Sequence, residues 1–161
     1  MDEREKNWDK YIDPRIDDLI KNGFYLEAFY ICAATIEHAL QSAILNSEGW
    51  IEQLTRRTSV KFKKTDEKKI RDMTLGKLIQ NFSRYTDDTN LVSQLESFNR
   101  IRIRFVHKLL NSSIEELNQE AKDNQTTYYT LVAKLYRFMS DLSHRKSLSI
   151  KRTIRKIKTN L

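Results

Sequence analysis

Only three glycines and one proline punctuate these 161 residues, too few turn formers for a multistranded sheet. Long helices are the natural alternative. The expected fold is all-α: an up-and-down bundle of four to five helices over residues 1–143, with a basic C-terminal helix or tail over 144–161. The lone cysteine, Cys32, excludes a disulfide framework within one chain. It lies in the apolar run 29–34, which predicts a buried reduced thiol, whereas a nucleophile would want exposure and a nearby cation. Three histidines, at 38, 107 and 144, lack zinc-ligand spacing, and no Gly-rich phosphate loop supports nucleotide hydrolysis, so no metal or cofactor is expected. No apolar run approaches the ~20 residues that span a bilayer. The opening Met1-Asp2-Glu3-Arg4-Glu5-Lys6 does not resemble a signal peptide, and a cytoplasmic protein with no membrane partner is predicted.

Acidic residues are also missing from one region. Between Leu142 and Leu161 there are seven Lys or Arg and no Asp or Glu, which equals the entire net charge of +7 and leaves the body formally neutral. A basic tail on a neutral body points to a polyanion, because phosphate contacts release counterions without any sequence readout. Ile150, Ile154, Ile157 and Leu161 recur at helical spacing, so the tail is equally able to lay an apolar edge on the body or on a second subunit.

Along the chain, a first helix is expected from about Arg4 to the Asn22-Gly23 stop, kinked or split by Pro14. Trp8, Ile12, Ile16 and Leu19 face inward in this reading. A second helix spans about Phe24 to Asn46, with Phe24, Ala28, Ile31, Cys32, Thr35, Ala39, Leu40 and Ala43 forming a broad face of mostly small side chains. Small residues let neighbouring helices approach closely, which places this helix at the bundle centre. Residues 49–72 are lysine-rich and irregular, an exposed connection. A short helix follows near 74–85, and Asp87 and Asp88 cap the next, from about Thr89 to Leu110. Ser113 with Glu116 fits a capping box for a short helix over 113–122. The last body helix covers about 126–142.

The stretch 97–111, S-F-N-R-I-R-I-R-F-V-H-K-L-L-N, carries most of the chemistry. At 100° per residue, Leu91, Leu95, Phe98, Phe105 and Leu109 share one stripe, and Glu96, Arg100, Arg104, His107 and Asn111 share the opposite arc. Arg102 falls inside the apolar stripe, where an unpaired guanidinium costs several kcal/mol and therefore needs a carboxylate, a phosphate or a wet cleft beside it. Glu37, set in the apolar run of the second helix, is the best carboxylate in the sequence for that role; the alternative is a solvent-facing Glu37.

The run Arg102-Ile103-Arg104-Phe105-Val106-His107 resembles the R-x4-6-H signature of HEPN domains, small helical proteins many of which are metal-independent ribonucleases. Arg100 to His107 fits the same window. The segment Gly23-Phe24-Tyr25-Leu26-Glu27-Ala28, running on to Ala39-Leu40, is similar to the family's central helix, and Leu75-Gly76-Lys77-Leu78-Ile79 with 91–109 to its motif-bearing half. The resemblance implies a bundle that homodimerises, bringing two motifs to a shared cleft that cuts RNA without metal. It further implies a role in defence, stress or a toxin-antitoxin pair, with a nucleotidyltransferase antitoxin or another defence-system protein as partner. His107 is then the acid/base. Arg102 or Arg100 holds the scissile phosphate, and Arg104, Lys108, Asn111 and the tail residues Lys151, Arg152 and Arg155 contact RNA. Two features stand apart from the family pattern. Ile103 and Ile101 follow the two candidate arginines where the family places Asn, Asp or His. Arg102 and His107 also lie about 140° apart on an ideal helix, against about 20° for Arg100 and His107. Either the helix is distorted, or a second subunit completes the site, or Arg100 is the working arginine. The same bundle without catalysis, binding RNA or protein, is the alternative function; in it His107 is an exposed helical residue and Arg102 an internally paired strut.

Overall fold

The structure, a computed structural model, describes residues 8–56 and 61–159, with side chains over 10–56 and 61–144. Among the described residues the chain is all-α, with no strand. A π-helical turn, Trp8–Ile12, leads into α1 (Asp13–Lys21), followed by α2 (Tyr25–Thr55), α3 (Glu67–Arg71), α4 (Leu75–Phe82), α5 (Thr89–Lys108), α6 (Ile114–Asp123) and α7 (Gln125–Thr159). The count exceeds the expected four to five because α3 and α6 are short helices laid against the long ones.

The helix boundaries follow local chemistry. The helix expected across Pro14 is divided just before it, the π-helical turn ending at Ile12 and α1 starting at Asp13; Pro14 then occupies the first turn of α1, where a missing N–H costs nothing. Gly23 closes α1 with φ at 82°, the left-handed geometry that favours glycine. The Asp88 side chain accepts from the Leu91 N–H at 2.9 Å and starts α5. Ser113 and Glu116 form the full capping box that starts α6.

The second helix corrects the sequence reading most. It runs on to Thr55, through Gly49, rather than stopping near Asn46. A helical glycine costs only about 1 kcal/mol, and the buried face formed by Leu40, Ala43, Ile44, Ser47 and Glu48 outweighs that. Phe24, expected inward, precedes the helix and is exposed. α2 is the central element and packs against α1, α3, α4, α6 and α7. By length and composition it would also pass as a membrane span, contrary to the sequence reading, yet 56% of its most apolar window is buried inside the bundle, as a central core helix requires.

Phe29 of α2 is the hub that fixes α5. Its ring centroid lies 4.6 Å from Phe105 and 5.3 Å from Phe98, and 5.5 Å from Tyr128 of α7. Such ring pairs add about 0.5–1.5 kcal/mol each beyond their buried area, so the phase of α5 about its own axis is tightly set. Leu109 escapes this core: it caps α5 beyond the last covering element and is exposed, contrary to the inward stripe.

The body also predicts its own alkaline limit. The Tyr129 hydroxyl donates to Asp13 Oδ1 at 2.8 Å, and this bond chiefly raises its pKa from 10.0 to about 12. Burial, then the hydrogen bond to Glu48, lifts Tyr85 to about 12, and burial lifts Cys32 from 9.0 to about 12. Each group is held neutral in the fold while the unfolded chain deprotonates sooner. Their contribution is therefore complete below about pH 9 to 10 and is lost as pH rises through about 12. Urea midpoints measured from pH 8 to 11.5 are expected to fall steeply above pH 9.5, with a shallower fall in Tyr129→Phe. A flat profile to pH 11.5 would contradict these assignments.

Candidate functional site on α5

The phase imposed by Phe29 turns α5 so that its candidate residues leave the core in three directions. Arg102, on the inward side, meets α2: its guanidinium lies 3.7 Å from Glu37 Oε2, with the two side chains 34% and 31% exposed. The buried Tyr30 hydroxyl, two turns before Glu37 on α2, has no hydrogen-bond partner among the described residues. Burial raises the Tyr30 pKa and the charge of Arg102 partly opposes that shift, so the guanidinium serves both neighbours. The carboxylate expected beside Arg102 is thus Glu37.

On the opposite side, Arg104 and Lys108 converge on Glu120 of α6. Arg104 forms an ion pair with Glu120 Oε1, and Lys108 Nζ lies 2.9 Å from Oε2. Burial pushes the Glu120 carboxyl up, but the Lys108 hydrogen bond and the two positive charges outweigh it and hold the group below its usual range. Arg104 and Lys108, both expected to contact RNA, therefore share one carboxylate, which offsets one of their two charges. Nothing in the spacing of α5 reveals Glu120, because the pairing depends on how α6 folds back.

His107 and Asn111 stand between these arrangements, exposed. Arg100 is also exposed, and its guanidinium donates to Ser97 Oγ at 2.8 Å. That bond draws Arg100 toward the N-terminal end of α5, away from His107. The two share a helix face, as expected, without converging within one chain. Lys151, Arg152 and Arg155 belong to the continuous helix α7, and their side chains lie outside the described residues.

The sequence reading missed what separates Arg102 from His107. Ile103, Val106 and Leu110 occupy an arc of about 60° on α5 and its C-terminal turn, with Arg102 about 40° beyond one edge and His107 about 40° beyond the other. All three are exposed, Leu110 to 91%, and Ile114 at the start of α6 is exposed to 68%. Ile103 is therefore not a core residue. An apolar stripe of this kind, bordered by charged groups, marks an interaction face rather than scattered surface hydrophobics. No family model, curated protein or solved structure matches this chain.

Proposed function

We propose that the chain is a HEPN-like, metal-independent endoribonuclease that acts as a homodimer in a defence, stress or toxin-antitoxin setting. The observation that carries this reading is the exposed stripe Ile103-Val106-Leu110, bordered by Arg102 on one edge and His107 on the other. Two copies burying this stripe against each other remove the 140° problem. A two-fold axis along the helices sets the Arg102 edge against the partner's His107 edge. An axis across them sets the two imidazoles together. The first arrangement gives two equivalent edges, each with one arginine and one histidine from different copies; the second puts both histidines on one edge and both arginines on the other.

The chemistry suits these groups. A base takes the ribose 2′-hydroxyl proton, O2′ attacks the phosphorus, the bond to O5′ breaks, and an acid returns a proton to that oxygen. The products are a 2′,3′-cyclic phosphate and a 5′-hydroxyl. Imidazole serves in either role near neutral pH, and guanidinium gives the crowded phosphoryl oxygens a cation that keeps its proton.

A second reading, RNA or protein binding without cleavage, draws on the pairing of Arg102 with Glu37 and of Arg104 and Lys108 with Glu120. These carboxylates reduce the charge open to a phosphate. Absence of products in the presence of salt-sensitive RNA binding would favour it.

The dimer is testable by itself. Leu110→Glu is expected to dissociate it, because burying a leucine contributes about 1.5–3 kcal/mol and an isologous seam counts each substitution twice. The dissociation constant should rise at least about a hundredfold by analytical ultracentrifugation, and RNA cleavage should fall with the dimer fraction. A wild-type protein that sediments as a monomer at micromolar concentration would end the nuclease reading.

A further inference from the structure

A second feature of the same helix face has no place in the cleavage chemistry. A cleft of about 350 Å³ opens between α4 and α5, with Gly76, Gln80 and Ser83 on one wall and Glu96, Asn99 and Arg100 on the other. Gly76 keeps it open: a Cβ there would stand 3.3 Å from Asn99 Nδ2. Among the described residues, the side chains of Gln80, Glu96 and Asn99 make no hydrogen bond or ion pair. Two amides and a carboxylate with their bonding capacity unspent therefore line one small space, beside the Arg100 guanidinium, which also donates to Ser97 Oγ.

We propose that this cleft is a nucleotide subsite that takes one residue of a single-stranded RNA and reads a base with an exocyclic amino group. The volume lies at the small end of the ~300–1,000 Å³ range for ligand sites, room for one nucleotide. The polar groups suit a base edge better than a bare phosphate. Asn and Gln amides offer paired donors and acceptors, and a carboxylate accepts from an amino group while repelling phosphate. Arg100 at the rim either pairs with the adjoining phosphate or stacks on the base. Arg100 then determines specificity and is not a catalytic residue. It lies seven residues, about 10 Å along the axis, from His107 on the same face, which lets one extended strand reach both. The identity of the polymer rests on the proposed ribonuclease reading; the subsite itself does not depend on cleavage.

The test uses full-length, 15N-labelled protein carrying His107→Ala, titrated with AMP, CMP, GMP and UMP. Amide shifts are expected at Gly76, Ser83, Asn99 and Arg100 with at least one of the amino-bearing nucleotides, and UMP should bind at least tenfold more weakly. Glu96→Gln, on a solvent-exposed position, should erase that preference without changing the rest of the spectrum. No shift with any of the four, equal binding of UMP, or an unchanged preference in Glu96→Gln would overturn the proposal. RNA cleavage by the wild type without mononucleotide binding would also overturn it and leave the nuclease standing. Binding without cleavage would support the subsite and remove the nuclease.

Discussion

His107→Ala is expected to lower RNA cleavage in the presence of a chelator by about 10²- to 10⁴-fold, the usual worth of a positioned general acid or base, while leaving the fold intact. His107 is exposed, and its side chain makes no hydrogen bond among the described residues. Such a surface substitution changes stability by no more than about 0.5 kcal/mol, a shift of roughly 2 °C in Tm at this chain length. A large activity loss with an unmoved melting curve separates a chemical role from a structural one. The arginines divide differently. Arg102→Ala should reduce kcat, because a phosphate-holding cation acts on charge that grows in the transition state. Arg102→Lys should recover only part of it, since an ammonium lacks the planar fork. Arg100→Ala should raise KM and leave kcat nearly unchanged, because its guanidinium is drawn toward Ser97 and away from His107. Single-stranded and transfer RNA left intact from pH 5 to 9, or cleavage that persists unchanged in His107→Ala, would remove the enzyme.

Much of the fold is legible from the side chains alone, because short-range chemistry decides it. Gly23, Asp88 and the Ser113–Glu116 pair set helix ends through their own backbone and side-chain bonds. Cys32 is buried as its apolar neighbours require. The pairing of Glu37 with Arg102 follows from the cost of stranding a guanidinium near the core. The far end of α2 is not legible in this way. The polar run Asn46-Ser47-Glu48-Gly49 has the composition of a helix stop, and only packing from outside the helix overrides it.

The candidate site is legible in part for a related reason. Helical periodicity gives the angular position of Arg100, Arg102 and His107 but not which sectors are covered by other helices. Leu109 and Ile103 illustrate both sides of this. The first sits on the inward stripe and is exposed, because the helix outruns its neighbours. The second follows Arg102 directly and joins an apolar face that no described element covers. Partners such as Glu120 and the α4 wall of the cleft depend on long-range chain reversal, which one-dimensional spacing does not encode.

The other large expected effect is structural and centres on Glu48, which is 2% exposed near the end of α2. Its Oε2 accepts the Thr65 N–H at 2.7 Å, and Oε1 accepts the Thr65 hydroxyl at 2.8 Å and the Tyr85 hydroxyl at 2.9 Å. One carboxylate thus fastens two connections, the strand of chain before α3 and the turn between α4 and α5, to the central helix. Glu48→Ala leaves three donors without an acceptor and a void in their midst. At about 1–3 kcal/mol per buried unsatisfied group, partly relieved by entering water, a loss of about 3 kcal/mol is expected. At about 2–4 °C per kcal/mol this lowers Tm by roughly 6–12 °C. Glu48→Gln keeps the shape but not the chemistry: with its oxygen on the Thr65 N–H, the amide nitrogen can only donate to the Thr65 and Tyr85 hydroxyls, whose own protons then lose their acceptor, and about 1–3 kcal/mol is lost despite the conserved volume. Tyrosinate absorbance supplies an independent readout. In Glu48→Gln the Tyr85 hydroxyl should titrate below its wild-type value of about 12 yet stay above 10.0, because burial, the largest cause of its shift, remains while the anion that opposes its ionisation is gone. A Glu48→Ala protein within 1 kcal/mol of wild type by urea denaturation would show that these connections are held elsewhere. It would also show that the turn setting the start of α5, and with it the position of His107, does not depend on this carboxylate.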